Sequence, residues 1–102
     1  MVTVGLLLRF EAKPGKEDAV AKLLASAIDK INKEEGTTAW FALRFGPASF
    51  GVYDAFPDDT ARQVHISANL ALLKAAGDEL FVAAPTVEPV DVLVAKLPGR
   101  PA

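Results

Sequence analysis

The sequence predicts an α+β fold of the ferredoxin-like plan, a four-stranded antiparallel sheet carrying two helices on one face. Three observations predict it. An alternating apolar segment opens the chain, two segments with helical apolar spacing follow, and a pair of strand candidates around a turn lies between those helices. With a β-branched segment near the end, the order reads β-α-β-β-α-β.

Val2, Val4, Leu6, Leu8 and Phe10 alternate with Thr3, Gly5, Leu7, Arg9 and Glu11, the pattern of a strand with one strongly apolar face. Lys13-Pro14-Gly15 ends it. Val20, Leu23, Leu24, Ala27, Ile28 and Ile31 then repeat at helical spacing. Glu17 and Asp18 stand in the first turn, where the helix dipole favours them, and Gly36 is the expected stop. Residues 38–45 and 50–56 read as two strands joined at Gly46-Pro47-Ala48-Ser49. Pro57-Asp58-Asp59-Thr60 opens a second helix through His65 to about Leu70, with a further helical stretch to about Phe81. Pro85 ends that region, and Val90–Leu97 reads as the last strand.

The 102 residues suffice for one domain, expected over 1–97 with residues 98–102 as a flexible tail. Apolar residues make up 51% and charged residues 24%, a globular balance. The net charge of −2 and the scattered basic residues argue against a nucleic-acid partner. The absence of cysteine excludes disulfides, thiolate catalysis and thiolate metal sites. Val2–Leu8 lacks the basic start and cleavage site of a signal peptide, and no apolar run approaches the ~20 residues of a membrane span. The expectation is a soluble cytoplasmic protein without a membrane partner.

Helices cover only one face of such a sheet, so a water-facing second face should be polar. Gly5 and Leu7 fall on that face of the first strand. Both parity sets of the last strand are largely apolar, Val90, Val92 and Val94 against Leu93, Ala95 and Leu97. The expected cover is a second copy, a homodimer joined through the sheet face.

An even-numbered loop centred on Pro47-Ala48 would pair Phe45 with Phe50, Leu43 with Val52 and Phe41 with Asp54. Trp40, Ala42, Arg44, Gly51, Tyr53 and Ala55 then share the opposite face. Trp, Tyr and Arg among small residues fit either a small-molecule cavity or a dimer interface. An odd-numbered loop would break this register.

His65 is the single histidine and the side chain best suited to move protons near neutral pH. Alone, without cysteine, it cannot form an ordinary zinc site, so no metal centre is expected. Ser67 points to another side of the helix, which leaves no Ser–His pair, and no second base stands out. A structural histidine is the other reading. The Asp58-Asp59 and Glu34-Glu35 pairs read as solvated helix ends. Asp54 either caps the second helix or reaches water. Pro14-Gly15-Lys16 is a turn and not a phosphate-binding loop.

Pro14-Gly15-Lys16-Glu17, Trp40-Phe41-Ala42-Leu43-Arg44, Gly51-Val52-Tyr53-Asp54-Ala55-Phe56-Pro57-Asp58 and His65 together resemble the antibiotic-biosynthesis monooxygenase superfamily, in particular its small quinol-monooxygenase-like members. The resemblance spans about residues 3–97. It implies a dimeric α/β barrel of two ferredoxin-like protomers, each with a cavity between helices and sheet. It also implies oxidation of phenols, quinols or polyketide aromatics with O2 and no metal, flavin or haem cofactor. His65 matches the family's helix histidine, Tyr53 and Trp40 match strand positions that contact a planar substrate, and Arg44 matches a common arginine.

Related barrels that degrade haem carry an Asn on the first strand and a Trp about ten residues before the histidine. This first strand has no Asn, and Asp54 and Ala55 occupy that spacing, so haem degradation is not implied. The implied mechanism has His65 take a ring-hydroxyl proton, Tyr53 hydrogen-bond the substrate oxygen and Arg44 stabilise developing charge. The same scaffold also serves as a non-catalytic stress-response or ligand-binding dimer.

Overall fold

The computed structural model describes residues 1–99. The elements are β1 (Val4–Glu11), α1 (Glu17–Ile31), β2 (Ala39–Arg44), β3 (Ser49–Phe56), α2 (Asp59–Leu80) and β4 (Thr86–Asp91). They form one antiparallel sheet in the order β2-β3-β1-β4, the predicted ferredoxin-like plan. Asp58 begins α2 by accepting a hydrogen bond from the Ala61 amide at 2.8 Å, which satisfies one orphan donor of the first turn.

The alternation of β1 sets the core. Leu6 and Phe10 are buried on the helix side, opposite Asp54 and Phe50 of β3. Val20 and Leu24 of α1 pack there with Phe50, Val52 and Phe81, and the Phe10 and Phe81 rings stack at 4.4 Å. Each fully buried side chain of this kind stabilises the fold by roughly 1.5–3 kcal/mol. In α2 the buried side chain is His65, not an aliphatic residue.

Four expectations are corrected. The hairpin loop is odd-numbered: Arg44 pairs with Phe50, Ala42 with Val52 and Trp40 with Asp54, leaving the five residues 45–49 between. A one-residue slip reverses every face in β2. Trp40, Ala42 and Arg44 therefore share the helix-side face with Asp54, while Phe41 and Leu43 lie beside Tyr53 and Gly51 on the open face.

The last strand is Thr86–Asp91, not Val90–Leu97. Asp91 already stands opposite Val4, the first residue of β1, and after one further bond, from Val92 N to Thr3 O at 2.9 Å, residues 93–96 lie outside any strand. Leu93 and Val94 are left exposed. Pro89 is tolerated because β4 is an edge strand.

Helix α1 ends at Ile31, before Gly36, in tight turns that bond Glu34 N to Ile31 O and Thr37 N to Glu34 O. Helix α2 is one uninterrupted helix from 59 to 80. Pro98 and Gly99 form a turn, and residues 100–102 of the expected tail lie outside the described residues. No helix among the described residues is long and apolar enough to cross a membrane.

Candidate functional site

Where the start of α2 crosses the sheet, three elements bring ionisable side chains together. Asp54 projects from the helix side of β3 and is fully buried. His65 comes down from α2, two turns past the Asp58 cap, with its ring 5.3 Å from that of Phe56. Glu34 reaches in from the turn after α1. The imidazole lies between the two carboxyl groups, Nδ1 at 2.5 Å from Glu34 Oε1 and Nε2 at 2.9 Å from Asp54 Oδ2.

The two contacts differ. Nδ1 and Glu34 form a hydrogen bond. The Nε2–Oδ2 contact is close enough for an ion pair, but among the described residues neither Asp54 oxygen is aligned with a donor, and Oδ1 has no partner. Glu34 is the better anchored carboxylate. Thr37 Oγ1 donates to its Oε1 at 2.9 Å and Asn69 Nδ2 to its Oε2 at 2.9 Å. Asn69 Nδ2 also donates to the His65 carbonyl at 2.8 Å, and Lys30 Nζ bonds Asn69 Oδ1 at 3.0 Å and Ala68 O at 2.8 Å.

Burial opposes charge on His65, but the close contacts with Asp54 and Glu34 outweigh it and hold the imidazole pKa above its ordinary value. Burial likewise opposes charge on Glu34, yet donors on Asn69, His65 and Thr37 hold its carboxyl below the usual range. The site therefore stabilises an imidazolium flanked by carboxylate. Such a unit can hold a proton arriving at Nε2 while Nδ1 stays fixed by Glu34.

Two backbone features shape this corner. Gly36 lies so close to α2 that a Cβ there would stand 3.1 Å from the Ala61 Cβ. Its bareness lets the Glu34 turn approach the helix. Arg62 pairs with Asp59 at 2.8 Å and donates to the Gly5 carbonyl at 3.0 Å, tying the start of α2 to β1.

The structure groups the expected residues differently from the sequence reading. Trp40 is on the His65 side of the sheet, directly across from Asp54. Tyr53 is on the opposite face, beside Phe41 and Leu7, with its hydroxyl crowding Gly5. Arg44 closes the hairpin, donating to Pro47 O at 2.8 Å and lying 4.9 Å over the Phe50 ring. Glu34, expected as a solvated helix end, is a buried-side partner of His65, and Asp54 neither caps α2 nor reaches water. Asn69 carried a usable signal, since it lies four residues beyond His65 on the same helix face. Glu34 carried none, because its place depends on where α1 stops. Among the described residues no cluster of three or more His, Asp and Glu side chains is arranged to hold a metal ion. An open groove of ≈ 550 Å³ lies further along α2, lined by residues from Lys13 to Val87 but not by His65, Trp40 or Tyr53.

The same fold is found in solved structures described as antibiotic biosynthesis monooxygenases. A provisionally assigned antibiotic biosynthesis monooxygenase from Nitrosomonas europaea matches with a TM-score of 0.79 at 14% identity, over 89% of this chain and 99% of that one. Another from Caulobacter crescentus matches with a TM-score of 0.75 at 19% identity, over 91% and 92%. A protein of unknown function from Nitrosomonas europaea is 50% identical over 98% of both chains, with a TM-score of 0.94. The chain belongs to the same family as that protein. No family model and no curated protein matches it.

Proposed function

We propose that the protein is a homodimeric monooxygenase that oxidises a small phenolic or quinol substrate with O2, using His65 to handle the proton. The observation that carries this reading is the Glu34–His65–Asp54 unit, held between helix and sheet on a monooxygenase-type scaffold. A ring-hydroxyl proton passes to His65, and the carboxylates stabilise the imidazolium so formed. The phenolate is electron-rich enough to reduce O2 by one electron. Recombination of the two radicals then forms the C–O bond. One oxygen atom stays on the ring, the other leaves as water with two hydrogens from the substrate, and a quinone results.

In this reading Trp40, across the strand from Asp54, lines the substrate side and Glu34 is a positioning residue. Tyr53 belongs to the seam between the two sheets of the dimer, and Arg44 supports the hairpin. The test is O2 uptake with a series of simple quinols and naphthols, corrected for autoxidation. The expected result is protein-dependent uptake that His65→Ala lowers by about 10²–10⁴-fold, the range for a general base. Uptake at the protein-free rate with every substrate, or unchanged in His65→Ala, overturns the proposal.

One observation favours a second reading, a ligand-binding dimer without catalysis. Both ring nitrogens of His65 already have partners, and the open groove lies elsewhere. That reading expects no turnover and a large loss of stability in His65→Ala.

A further inference from the structure

The C-terminal half of α2, the segment 81–85 and the start of β4 enclose the open-sided groove of ≈ 550 Å³. Leu73, Phe81 and Val87 line it, and Phe81 is fixed from behind by its stack on Phe10. Leu70, Val82 and Val87 also line it while remaining 59%, 62% and 54% exposed. Single exposed aliphatic residues are ordinary, but three around one concavity form a patch. The volume falls within the roughly 300–1,000 Å³ typical of small-ligand pockets.

Among the described residues the charged groups on this groove are Lys13, Lys74 and Asp78. Lys13 is held in place: its backbone amide donates to Leu80 O at 2.8 Å and its Nζ to Asp78 O at 3.0 Å. Helix α2 has no basic residue in its last turn, so Lys13 supplies the cation that its negative end favours. The bond to Asp78 O uses one of three Nζ donors and leaves two. With Lys74 on the helix side, the lining carries two cations against one carboxylate among the described residues.

We propose that this groove binds a free amphipathic monoanion, a small apolar body bearing one carboxylate or sulfonate head. The body lies against Leu73, Phe81 and Val87, and the head meets Lys13 and Lys74. This site is separate from the His65 unit and stands whether or not the protein is an oxygenase. A second copy of the chain is a poorer occupant. The groove opens on the helix side, away from the apolar open face of the sheet, and lysine is depleted from interface cores.

Anilinonaphthalene sulfonate and its uncharged analogue phenylnaphthylamine test the body and the head separately. Fluorescence titration of the native protein is expected to show saturable binding of one sulfonate probe per chain, about 10-fold tighter than the neutral probe, or about 1.4 kcal/mol. Val87→Glu, at an exposed edge-strand position, is expected to weaken both probes about 10-fold or more. Lys74→Glu is expected to weaken the sulfonate alone. Val64→Ser, at an exposed position of α2 outside the groove, is expected to change neither. No saturable binding, equal affinity for the two probes, or binding that responds to Val64→Ser and not to Val87→Glu overturns the proposal.

Discussion

The Nε2 atom of His65 lies 2.9 Å from Oδ2 of Asp54, a carboxyl group with no exposed surface. This pairing makes the pH dependence of the protein specific. His65 has a folded pKa above its ordinary 6.5, so its contribution to stability is fully present below that value. The contribution is lost as pH rises through the folded pKa. Glu34 has a folded pKa below its ordinary 4.5, so its contribution is present above 4.5 and lost as pH falls through the folded value. Thermal unfolding across pH should therefore show a stability maximum between those two ordinary values. His65→Gln should remove the decline on the alkaline side. A wild-type decline that persists in His65→Gln would assign it to another group.

If His65 acts as the base, its neutral form is the active one. Turnover should then rise with pH through the raised pKa and level off above it. Glu34→Gln should move that midpoint downward, because one source of imidazolium stabilisation is gone. Turnover in the variant, measured with the quinol series, separates a positioning role from a structural one. An unmoved midpoint would show that Glu34 does not act on His65.

Asp54→Asn keeps the shape of the carboxyl group and removes its charge. It should destabilise the fold by about 1–3 kcal/mol where His65 is protonated, the cost of a poorly satisfied buried group. The loss should shrink at alkaline pH, where a neutral imidazole no longer needs the charge. Denaturant unfolding at two pH values on either side of the histidine midpoint checks this. A loss independent of pH would mean that packing, not charge, is what Asp54 supplies.

Much of the fold was legible because strand and helix periods are strong local signals. The alternation from Val2 to Phe10 and the apolar spacing from Val20 to Ile31 placed β1 and α1 on their buried faces. The misreadings share a cause, in that each depends on a count or a partner outside the local pattern. Whether Trp40 faces the helices or the open side turns on a loop of five residues instead of four. The composition of Val90–Leu97 is strand-like, but a strand needs a neighbour, and past Asp91 the segment keeps only the bond from Val92 N to Thr3 O. The role of Glu34 follows from α1 stopping at Ile31 and from Gly36 letting the turn approach Ala61. His65 was legible as a residue of interest, while its two carboxyl partners come from distant parts of the chain.

The close approach of Gly36 to Ala61 gives a steric prediction. Gly36→Ala puts a Cβ 3.1 Å from the Ala61 Cβ, and neither atom can rotate away. The expected cost is about 1 kcal/mol, the low end for overpacking. The added methyl should also displace the turn that carries Glu34 and Thr37, lowering the His65 midpoint. Pairing it with Ala61→Gly should recover part of the loss, a coupling that a double-mutant cycle reads directly. Strict additivity of the two changes would show that they do not touch.

Arg44 bonds Pro47 O and lies over the Phe50 ring, so its work is local to the hairpin. Arg44→Ala should cost about 0.5–1.5 kcal/mol, the net value of a typical hydrogen bond. Turnover per folded molecule should stay at the wild-type level. A large fall in turnover without a loss of stability would restore Arg44 to the substrate site.

The open face of the sheet makes the most direct case about assembly. Phe41 is 54% exposed and Phe45 47%, with Leu7, Leu43, Tyr53 and Val90 half-buried on the same side. Arg9 spreads its guanidinium 4.5 Å over the Phe45 ring, and Glu88 adds one carboxylate. An antiparallel sheet face in water ordinarily carries polar side chains, so this one is expected to be covered. Packing two such faces about a two-fold axis would bury the aromatic strip of both copies, and a stable interface needs roughly 800 Å² from each. Sedimentation should give twice the chain mass for the wild type. Phe41→Glu, which places like charges near the axis, should give a monomer that keeps its far-ultraviolet circular dichroism. A wild-type monomer at micromolar concentration would show that the aromatic strip stays open to water. The sheet face would then need a different partner from a second copy of the chain.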